Sequence, residues 1–225
     1  MRQKILITRS LFPDIVERLR GYFDVAVNEG AKYTAEQLKE ALRDKSGVLI
    51  AGGEKVNAEL LEGLSNLRAV CVSAAGYNNV DVPALTRAGV IGTNSPGPAD
   101  ETVADFTWGS LISIARKIGE SERWVLDGQW KGTAGSRFFG TEVHGKTIGI
   151  IGMGRIGQAI ARRAAGVGVK VLYYNRRRLD ASSEQECRAS YRTKSELLAN
   201  ADFVILSLPY APGNYHIIGA PELEL

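Results

Sequence analysis

The chain has 225 residues, 44% of them hydrophobic, which is enough to bury a substantial core in one large or two small domains. Its 28 basic and 25 acidic residues are spread along the chain and leave a net charge of +3, so no basic stripe indicates a nucleic-acid partner. No apolar run approaches the roughly 18 residues of a membrane span, and no signal peptide precedes the first apolar segment, so we expect a cytoplasmic protein that binds no membrane.

The first part of the chain alternates strand-like apolar runs with helical stretches. Strands are predicted at residues 5–8, 25–27, 48–51, 69–73 and 90–93. Helices are indicated where apolar residues recur three or four apart, as at residues 38–42 and 60–64. Strict alternation of strands and helices is typical of an α/β fold with a doubly wound parallel sheet.

A second set of elements follows the breaker cluster Asn94-Ser95-Pro96-Gly97-Pro98, which suits a hinge between domains 1–97 and 98–225. The pattern predicts a long helix from about Asp100 that is broken near Gly119. Strands are predicted at residues 148–151, 170–174 and 203–208, with a short additional strand within residues 184–192.

A glycine-rich turn, Gly152-x-Gly154-x-x-Gly157, lies between the strand at 148–151 and an Ala-rich helix predicted at 158–165. In a dinucleotide-binding turn the first glycine permits the tight turn, the second lets the backbone approach a pyrophosphate, and the third brings helix and strand together. Free N–H groups at the helix start then point at the phosphates. The alternative is an ordinary turn between strand and helix, which the flanking elements disfavour.

The end of the next strand bears on the choice of cofactor. An NAD enzyme usually has an acidic residue there that binds the ribose 2′-hydroxyl. This chain instead has Asn175-Arg176-Arg177-Arg178, and guanidinium groups bind a 2′-phosphate well, so NADP is favoured and NAD remains possible. Two alternatives stay open: the arginines form only a solvated face, or Asp180 is a displaced acid.

The cysteines and histidines do not suggest a metal or a disulfide. Cys71 lies in an apolar strand and Cys187 in a polar stretch, with no C-x-x-C spacing and no cluster of histidines.

The ordered motifs together resemble the D-isomer-specific 2-hydroxyacid dehydrogenases over the whole chain, and among them the bacterial glyoxylate/hydroxypyruvate (2-ketogluconate) reductases. The matching stretches are residues 72–81, 102–105, 139–147, the glycine-rich turn and residues 207–209. The resemblance implies a flavodoxin-like substrate domain at 1–97 and a partial Rossmann domain at 98–225, with the active site in the cleft between them. It also implies a homodimer formed through the long helix, where Trp124 and Trp130 suit an interface.

The resemblance assigns further site residues. Ala75 and Gly76 would bind the 2-oxo acid, and consecutive small residues after a parallel strand leave backbone N–H groups open to a carboxylate. The alternative is that Gly76 and the following asparagines are only turn formers. The remaining positions that the resemblance places at the cofactor are Thr102, Arg155, Ile156, Leu208 and Pro209.

The family's catalytic Arg, Glu and His correspond to positions beyond Leu225. His144 precedes its strand and so lies at the wrong end of the sheet, and His216 corresponds to a structural position, so no catalytic residue is assigned. We therefore expect a reductase of glyoxylate or hydroxypyruvate in shortened form, inactive as this chain alone. The alternative is a noncatalytic nucleotide-binding protein or fragment.

Overall fold

The computed structural model describes residues 2–225. The chain divides into two compact units, one ending at Gly97 and the other beginning at Pro98. Each unit is a parallel sheet with helices, and the predicted α/β class is confirmed.

The sheet of the first unit has five parallel strands in the order β2-β1-β3-β4-β5, the order of flavodoxin-like folds. The strands are β1 (Lys4–Ile7), β2 (Asp24–Val27), β3 (Gly47–Ile50), β4 (Ala69–Val72) and β5 (Ile91–Thr93). The helices are α1 (Pro13–Arg20), α2 (Ala35–Leu42), α3 (Ala58–Leu61) and α4 (Val82–Ala88). Capping side chains at Thr34, Asn57 and Asp81 set the starts of α2, α3 and α4.

A buried carboxylate joins the strand ends of this unit. Glu54 is almost fully buried, and its Oε2 accepts hydrogen bonds from Thr8 Oγ1 at 2.8 Å and from the Gly52 N–H at 3.1 Å. The Asn79 side chain donates to the Glu54 carbonyl at 2.7 Å. Through Oε2 and the backbone carbonyl, Glu54 thus ties the segments after β1, β3 and β4 together, whereas its Oε1 has no hydrogen-bond partner among residues 2–225.

The sheet of the second unit has four parallel strands in the order β8-β7-β6-β9, which is the arrangement of the first four strands of a Rossmann fold. The strands are β6 (Thr147–Ile151), β7 (Lys170–Tyr174), β8 (Ala189–Tyr191) and β9 (Phe203–Leu206). The helices are α5 (Asp100–Ala115), α6 (Ile118–Leu126), α7 (Arg155–Ala164), α8 (Ala181–Cys187), α9 (Lys194–Asn200) and α10 (Ala220–Leu223).

Helices α5 and α7 pack on each other through apolar and charged contacts. Ala104 is fully buried, and the Trp108 indole N–H donates to the Ile160 carbonyl at 2.9 Å. Arg163 bonds the carboxylates of Glu101 at 2.7 Å and Asp105 at 2.8 Å. The long helix is therefore fixed against the helix that follows the glycine-rich turn.

Some predicted boundaries in this unit are wrong. The break expected near Gly119 is present but lies two residues earlier, at Lys117, which adopts a left-handed conformation with φ of 54°, and Gly119 itself lies inside α6. The helix after the glycine-rich turn begins at Arg155 rather than at residue 158, because the last glycine already belongs to its first turn. Strand β9 ends at Leu206, two residues before the predicted end.

Strand β9 is an edge of its sheet, and the side chains of Val204 and Leu206 are partly exposed. Within residues 2–225, no helix combines the length and apolar content needed to cross a bilayer.

Candidate cofactor site

The glycine-rich turn leaves no room for side chains at two of its glycines. Gly152 has φ of +102°, and a Cβ there would lie 2.2 Å from the Ser207 carbonyl oxygen. A Cβ at Gly157 would lie 2.3 Å from the Gly152 carbonyl oxygen. Both contacts are with backbone, so glycine is required for β6 to turn into α7 at this distance.

Gly154 has a different environment. It is exposed, its φ of −78° is ordinary, and a Cβ there would meet no atom of the described residues within 4 Å. It stands at the N-cap position of α7, and no side chain caps that helix start. The first N–H groups of α7 are therefore open to an anion, which the helix dipole also favours.

Asn175, directly after β7, holds the backbone of this turn. Its Oδ1 accepts a hydrogen bond from the Met153 N–H at 2.7 Å, and its Nδ2 donates to the Met153 carbonyl at 3.4 Å. Met153 itself is buried. The amide thus occupies the strand end where an acidic residue commonly binds ribose, and it shapes the turn.

A cavity of about 700 Å³ opens beside the turn at the carboxyl ends of β6, β7 and β9. Seven of the cofactor residues predicted from the sequence line it: Gly152, Gly154, Asn175, Arg176, Arg177, Leu208 and Pro209. The cavity is also lined by Ile151, Tyr174, Ser207, Asn214 and Ile217. The carboxyl edge of a parallel sheet is where such folds bind ligands.

The other predicted cofactor residues lie outside this lining. Gly157 is buried within α7, and Ile156 packs against the core of the unit. Thr102 is exposed on the first turn of α5. The Arg155 side chain extends to Asp100 of α5, where its Nε lies 2.7 Å from Asp100 Oδ2.

The three arginines after β7 are not equivalent. Arg176 and Arg177 are exposed, and no residue in 2–225 forms an ion pair with either. Arg178 instead makes two hydrogen bonds of 2.8 Å to the Glu184 carboxylate and lies over the Tyr191 ring, 5.9 Å from its centroid. Two of the three guanidinium groups are therefore available at the cavity.

Asp180, which the sequence left open as a displaced acid, is hydrogen-bonded within the start of α8. Its carboxylate caps α8 by accepting hydrogen bonds from the Ser183 N–H at 2.9 Å and from the hydroxyl groups of Ser182 and Ser183. The Ser182 hydroxyl contributes most to holding the pKa of Asp180 below its usual range. Asp180 thus has a local structural role at the start of α8.

Glu184 lies at the centre of a small polar network that includes Arg178 and Tyr173. The Tyr173 hydroxyl donates to Glu184 Oε1 at 2.6 Å and accepts from the Leu179 N–H at 2.9 Å. Hydrogen bonds from Arg178 and then from Tyr173 lower the pKa of Glu184 to about 2. Burial, followed by the bond to Glu184, raises the pKa of Tyr173 to about 12.

This network predicts a stability that depends on pH. The pKa of Glu184 is lower in the folded chain than its ordinary value of 4.5, so its contribution is complete above about pH 4.5 and is lost as the pH falls toward about 2. In urea unfolding between pH 7 and pH 3, wild type should be more stable than Glu184→Gln at pH 5 to 7, and this advantage should shrink below about pH 4.5. Glu122→Gln removes an exposed carboxylate of α6 that has no ion-pair partner among residues 2–225, and as the control it should leave the free energy of unfolding close to that of wild type throughout this range. An advantage of wild type over Glu184→Gln that stays constant across the range contradicts the prediction.

The loop after β4 carries the predicted substrate residues Ala75 and Gly76. Both are exposed, and no atom of residues 2–225 accepts a hydrogen bond from either backbone N–H. The loop is held from one side, since the Asn94 side chain donates to the Ala75 carbonyl at 2.8 Å and the Ser95 N–H donates to the Ala74 carbonyl at 3.1 Å. The two adjacent N–H groups are therefore open to a ligand on a loop that is anchored from one side.

The turn-former alternative is supported for the two asparagines. Asn78 and Asn79 are the central residues of a turn in which the Val80 N–H donates to the Tyr77 carbonyl at 2.9 Å. Gly76 precedes this turn, and its φ is not positive. The Asn79 side chain also anchors the loop to the Glu54 carbonyl.

Neither histidine is among the residues that line the cavity, although Asn214 and Ile217, on either side of His216 in sequence, are. His144 precedes β6 and contacts Gly168, which precedes β7, so it lies at the amino end of the sheet as the sequence predicted. His216 is exposed and stacks on Tyr215, with ring centroids 4.1 Å apart. Cys187 is buried by α7 although its local sequence is polar, and no group of residues in 2–225 has the composition of a metal site.

The donor set of the cavity fits a dinucleotide. The uncapped start of α7 and the open face of Gly154 suit a pyrophosphate, and the two unpaired arginines at the end of β7 suit a further phosphate.

Comparison with known proteins agrees with this geometry. Residues 108–225 match the family model of the NAD-binding domain of D-isomer-specific 2-hydroxyacid dehydrogenases. Over 230 aligned residues the chain is 40% identical to the glyoxylate reductase of Thermococcus gammatolerans, and the alignment covers all of this chain and 69% of that protein.

Solved structures show the same fold. The TT0316 protein from Thermus thermophilus matches with a TM-score of 0.91 at 29% identity, over 98% of this chain and 69% of that one. A glyoxylate reductase from Paecilomyes thermophila matches with a TM-score of 0.84 at 28% identity, over 99% of this chain and 70% of that one.

Proposed function

The chain belongs to the D-isomer-specific 2-hydroxyacid dehydrogenases, and from that premise we propose that it serves the NADPH-dependent reduction of small 2-oxo acids. The substrates proposed are glyoxylate, hydroxypyruvate and 2-ketogluconate. The observation that carries the proposal is the cavity in which a dinucleotide-type glycine turn adjoins two arginines without ion-pair partners among residues 2–225.

Each part of the cofactor is assigned to residues of the second unit. The turn from Gly152 to Gly157 and the N–H groups of Arg155 and Ile156 hold the pyrophosphate. Arg176 and Arg177 hold the 2′-phosphate, which makes NADP the preferred form. Asn175 keeps the turn in shape, Leu208 and Pro209 line the cavity after β9, and Thr102 contributes from α5.

The substrate is assigned to the first unit. The free N–H groups of Ala75 and Gly76 bind the carboxylate of the 2-oxo acid. When bound, the nicotinamide cofactor supplies the hydride that reduces the 2-oxo group. Reduction also requires a proton donor within hydrogen-bond reach of the carbonyl oxygen.

A second candidate is a nucleotide-binding protein without turnover. It is favoured by one observation, the position of the histidines: His144 lies at the opposite end of the sheet from the cavity, and His216 stacks on Tyr215. Loss of general acid catalysis typically slows a reaction by about 10²- to 10⁴-fold. For the 225-residue chain alone we therefore expect cofactor binding with little or no turnover.

Binding and turnover of the purified chain separate these candidates. NADPH binding is measured by calorimetry, and NADPH oxidation is followed with glyoxylate or hydroxypyruvate. Binding together with turnover on the order of 10 s⁻¹, an ordinary enzyme value, supports the reductase and contradicts the expected inactivity. Binding without turnover supports the second candidate for this chain. Failure to bind either NADPH or NADH contradicts both.

We also propose that the chain forms a homodimer through α5 and α6. Apolar side chains on these helices are largely exposed, among them Phe106, Ile114 and Leu126, and large exposed apolar patches mark interaction surfaces. Nearby, Trp124 packs edge-on against Trp130 with ring centroids 5.9 Å apart. Light scattering after size-exclusion chromatography should give twice the chain mass, and a monomer at all concentrations contradicts the proposal.

A further inference from the structure

One acidic residue of α5 reaches the arginine of the glycine-rich turn. Asp100 is the first residue of α5, and its Oδ2 accepts a hydrogen bond from Arg155 Nε at 2.7 Å. The Asp100 side chain is 15% exposed, whereas the Arg155 side chain is 65% exposed. The fixed partner in this pair is therefore the aspartate, and the arginine is the side chain that it holds.

Asp100 is fixed because α5 itself is fixed. Ala104, one turn further along, is fully buried, and Trp108 is hydrogen-bonded to the backbone of α7. A carboxylate at the start of α5 also interacts favourably with the dipole of that helix. The acceptor for Arg155 therefore stands on a rigid element.

Only one edge of the Arg155 guanidinium is used. Its Nε is bonded to Asp100, and within residues 2–225 neither Nη1 nor Nη2 has a hydrogen-bond partner. Arg163, near the other end of α7, is the contrast: its guanidinium bonds Glu101, Asp105 and the Ala159 carbonyl. Arg163 is committed to helix packing, whereas Arg155 keeps two nitrogens free.

The position of Arg155 gives those nitrogens a use. Arg155 is the first residue of α7 after Gly154, at the uncapped helix start where the backbone N–H groups are open to an anion. A guanidinium whose rotation is restricted loses less entropy when it binds a phosphate oxygen.

We propose that Asp100 is a positioning residue for cofactor binding: it holds Arg155 by Nε so that the two Nη groups face the pyrophosphate of the bound dinucleotide. The inference rests on the proposed cofactor site and adds a residue of α5 to it. Loss of the Asp100 carboxylate then weakens dinucleotide binding through Arg155 alone.

The test compares two ligands that differ in the pyrophosphate. NADPH contains it, whereas adenosine 2′-phosphate lacks it and retains the phosphate assigned to Arg176 and Arg177. We expect Asp100→Asn to weaken NADPH binding about tenfold, the effect of roughly 1.4 kcal/mol, and to change the affinity for adenosine 2′-phosphate by less than about twofold. A general structural defect would lower the affinity for both ligands.

Three further variants complete the experiment. Asp105→Asn also removes one carboxylate from α5, but the partner of that carboxylate is Arg163, which lies outside the glycine-rich turn. The Asp105→Asn variant should bind both ligands with the affinity of wild type. In an Arg155→Ala background, Asp100→Asn should have no further effect on NADPH binding. Asp100→Ser, with a residue that suits a helix start, should reproduce the result of Asp100→Asn and covers the case in which the asparagine variant folds poorly.

Several outcomes overturn the inference. The first is NADPH binding by both Asp100 variants that is unchanged or tighter. The second is a loss of NADPH affinity on Asp100→Asn that persists in the Arg155→Ala background. The third is an equal loss of NADPH affinity on Asp105→Asn. If wild type binds adenosine 2′-phosphate and NADPH but the Asp100 variants behave as wild type, only this inference fails. If wild type binds neither ligand, the proposed function fails with it.

Discussion

Replacing Arg176 and Arg177 together with alanine should weaken NADP binding by about a hundredfold and leave NAD binding nearly unchanged. A hydrogen bond to a charged group contributes about 1.5–3 kcal/mol, and about 1.4 kcal/mol corresponds to a tenfold change in affinity. Both arginines are exposed at the cavity, so salt should screen the effect. Titration of wild type and variant with both cofactors at low and moderate salt measures it.

Lys170→Ala is the matched control for this experiment, because it removes a positive charge from the amino end of the same strand. Its NADP affinity should equal that of wild type. Equal affinity of wild type for NAD and NADP would falsify the assigned preference. An NADP preference that survives loss of both arginines and is insensitive to salt would show that they form only a solvated turn.

Gly154→Ala should abolish most cofactor binding without destabilising the protein. A methyl group there meets no atom of the described residues within 4 Å and the backbone angle is ordinary, so the chain should unfold at the same urea concentration as wild type. The methyl group nevertheless stands at the open start of α7, where it keeps a pyrophosphate from the N–H groups. Loss of two charge-assisted hydrogen bonds corresponds to a decrease in affinity of about a hundredfold or more.

Gly152→Ala is the informative comparison. Its methyl group would lie 2.2 Å from a backbone oxygen at a φ of +102°, so we expect a loss of about 2–5 kcal/mol in the free energy of unfolding. Gly166→Ala, a glycine with open space outside the cavity, should change neither stability nor binding. If Gly154→Ala binds NADPH as wild type does, the glycine turn is structural only and the cofactor site is elsewhere.

Local sequence pattern predicted the strands and the turn well because their causes are local. Short apolar runs bounded by breakers indicated eight of the nine strands within residues 2–225, and most boundaries shifted by one or two residues. Strand β8 was expected only as a short strand within the polar stretch 184–192, and it lies at Ala189–Tyr191. The spacing of Gly152, Gly154 and Gly157 between a strand and a helix pointed to the segment that now lines the cavity. Lys117 escaped prediction because a left-handed break in a helix is usually expected at glycine, and here a lysine adopts that conformation.

The contacts that complete the site could not be read from sequence because they join distant residues. The hydrogen bond between Asn175 and Met153 joins residues 22 positions apart in sequence, and the one between Arg155 and Asp100 joins residues 55 positions apart. Burial of Glu54 and Cys187 likewise depends on elements that pack over them, whereas their neighbours in sequence are polar. In the arginine run, the sequence could not separate Arg178 from the other two, since only the fold brings Glu184 to it.

Because Arg178 forms an ion pair with Glu184, the three arginines differ in what their substitution would cost the fold. Arg176 and Arg177 can be exchanged for an acidic residue and a small one, a route toward NAD use, because no ion pair within residues 2–225 depends on them. Exchange of Arg178 in the same step would remove the ion-pair partner of the Glu184 carboxylate and leave it bonded only to the Tyr173 hydroxyl. If Arg176 and Arg177 set the proposed NADP preference, two neighbouring substitutions would redirect it toward NAD, provided that Arg178 is kept.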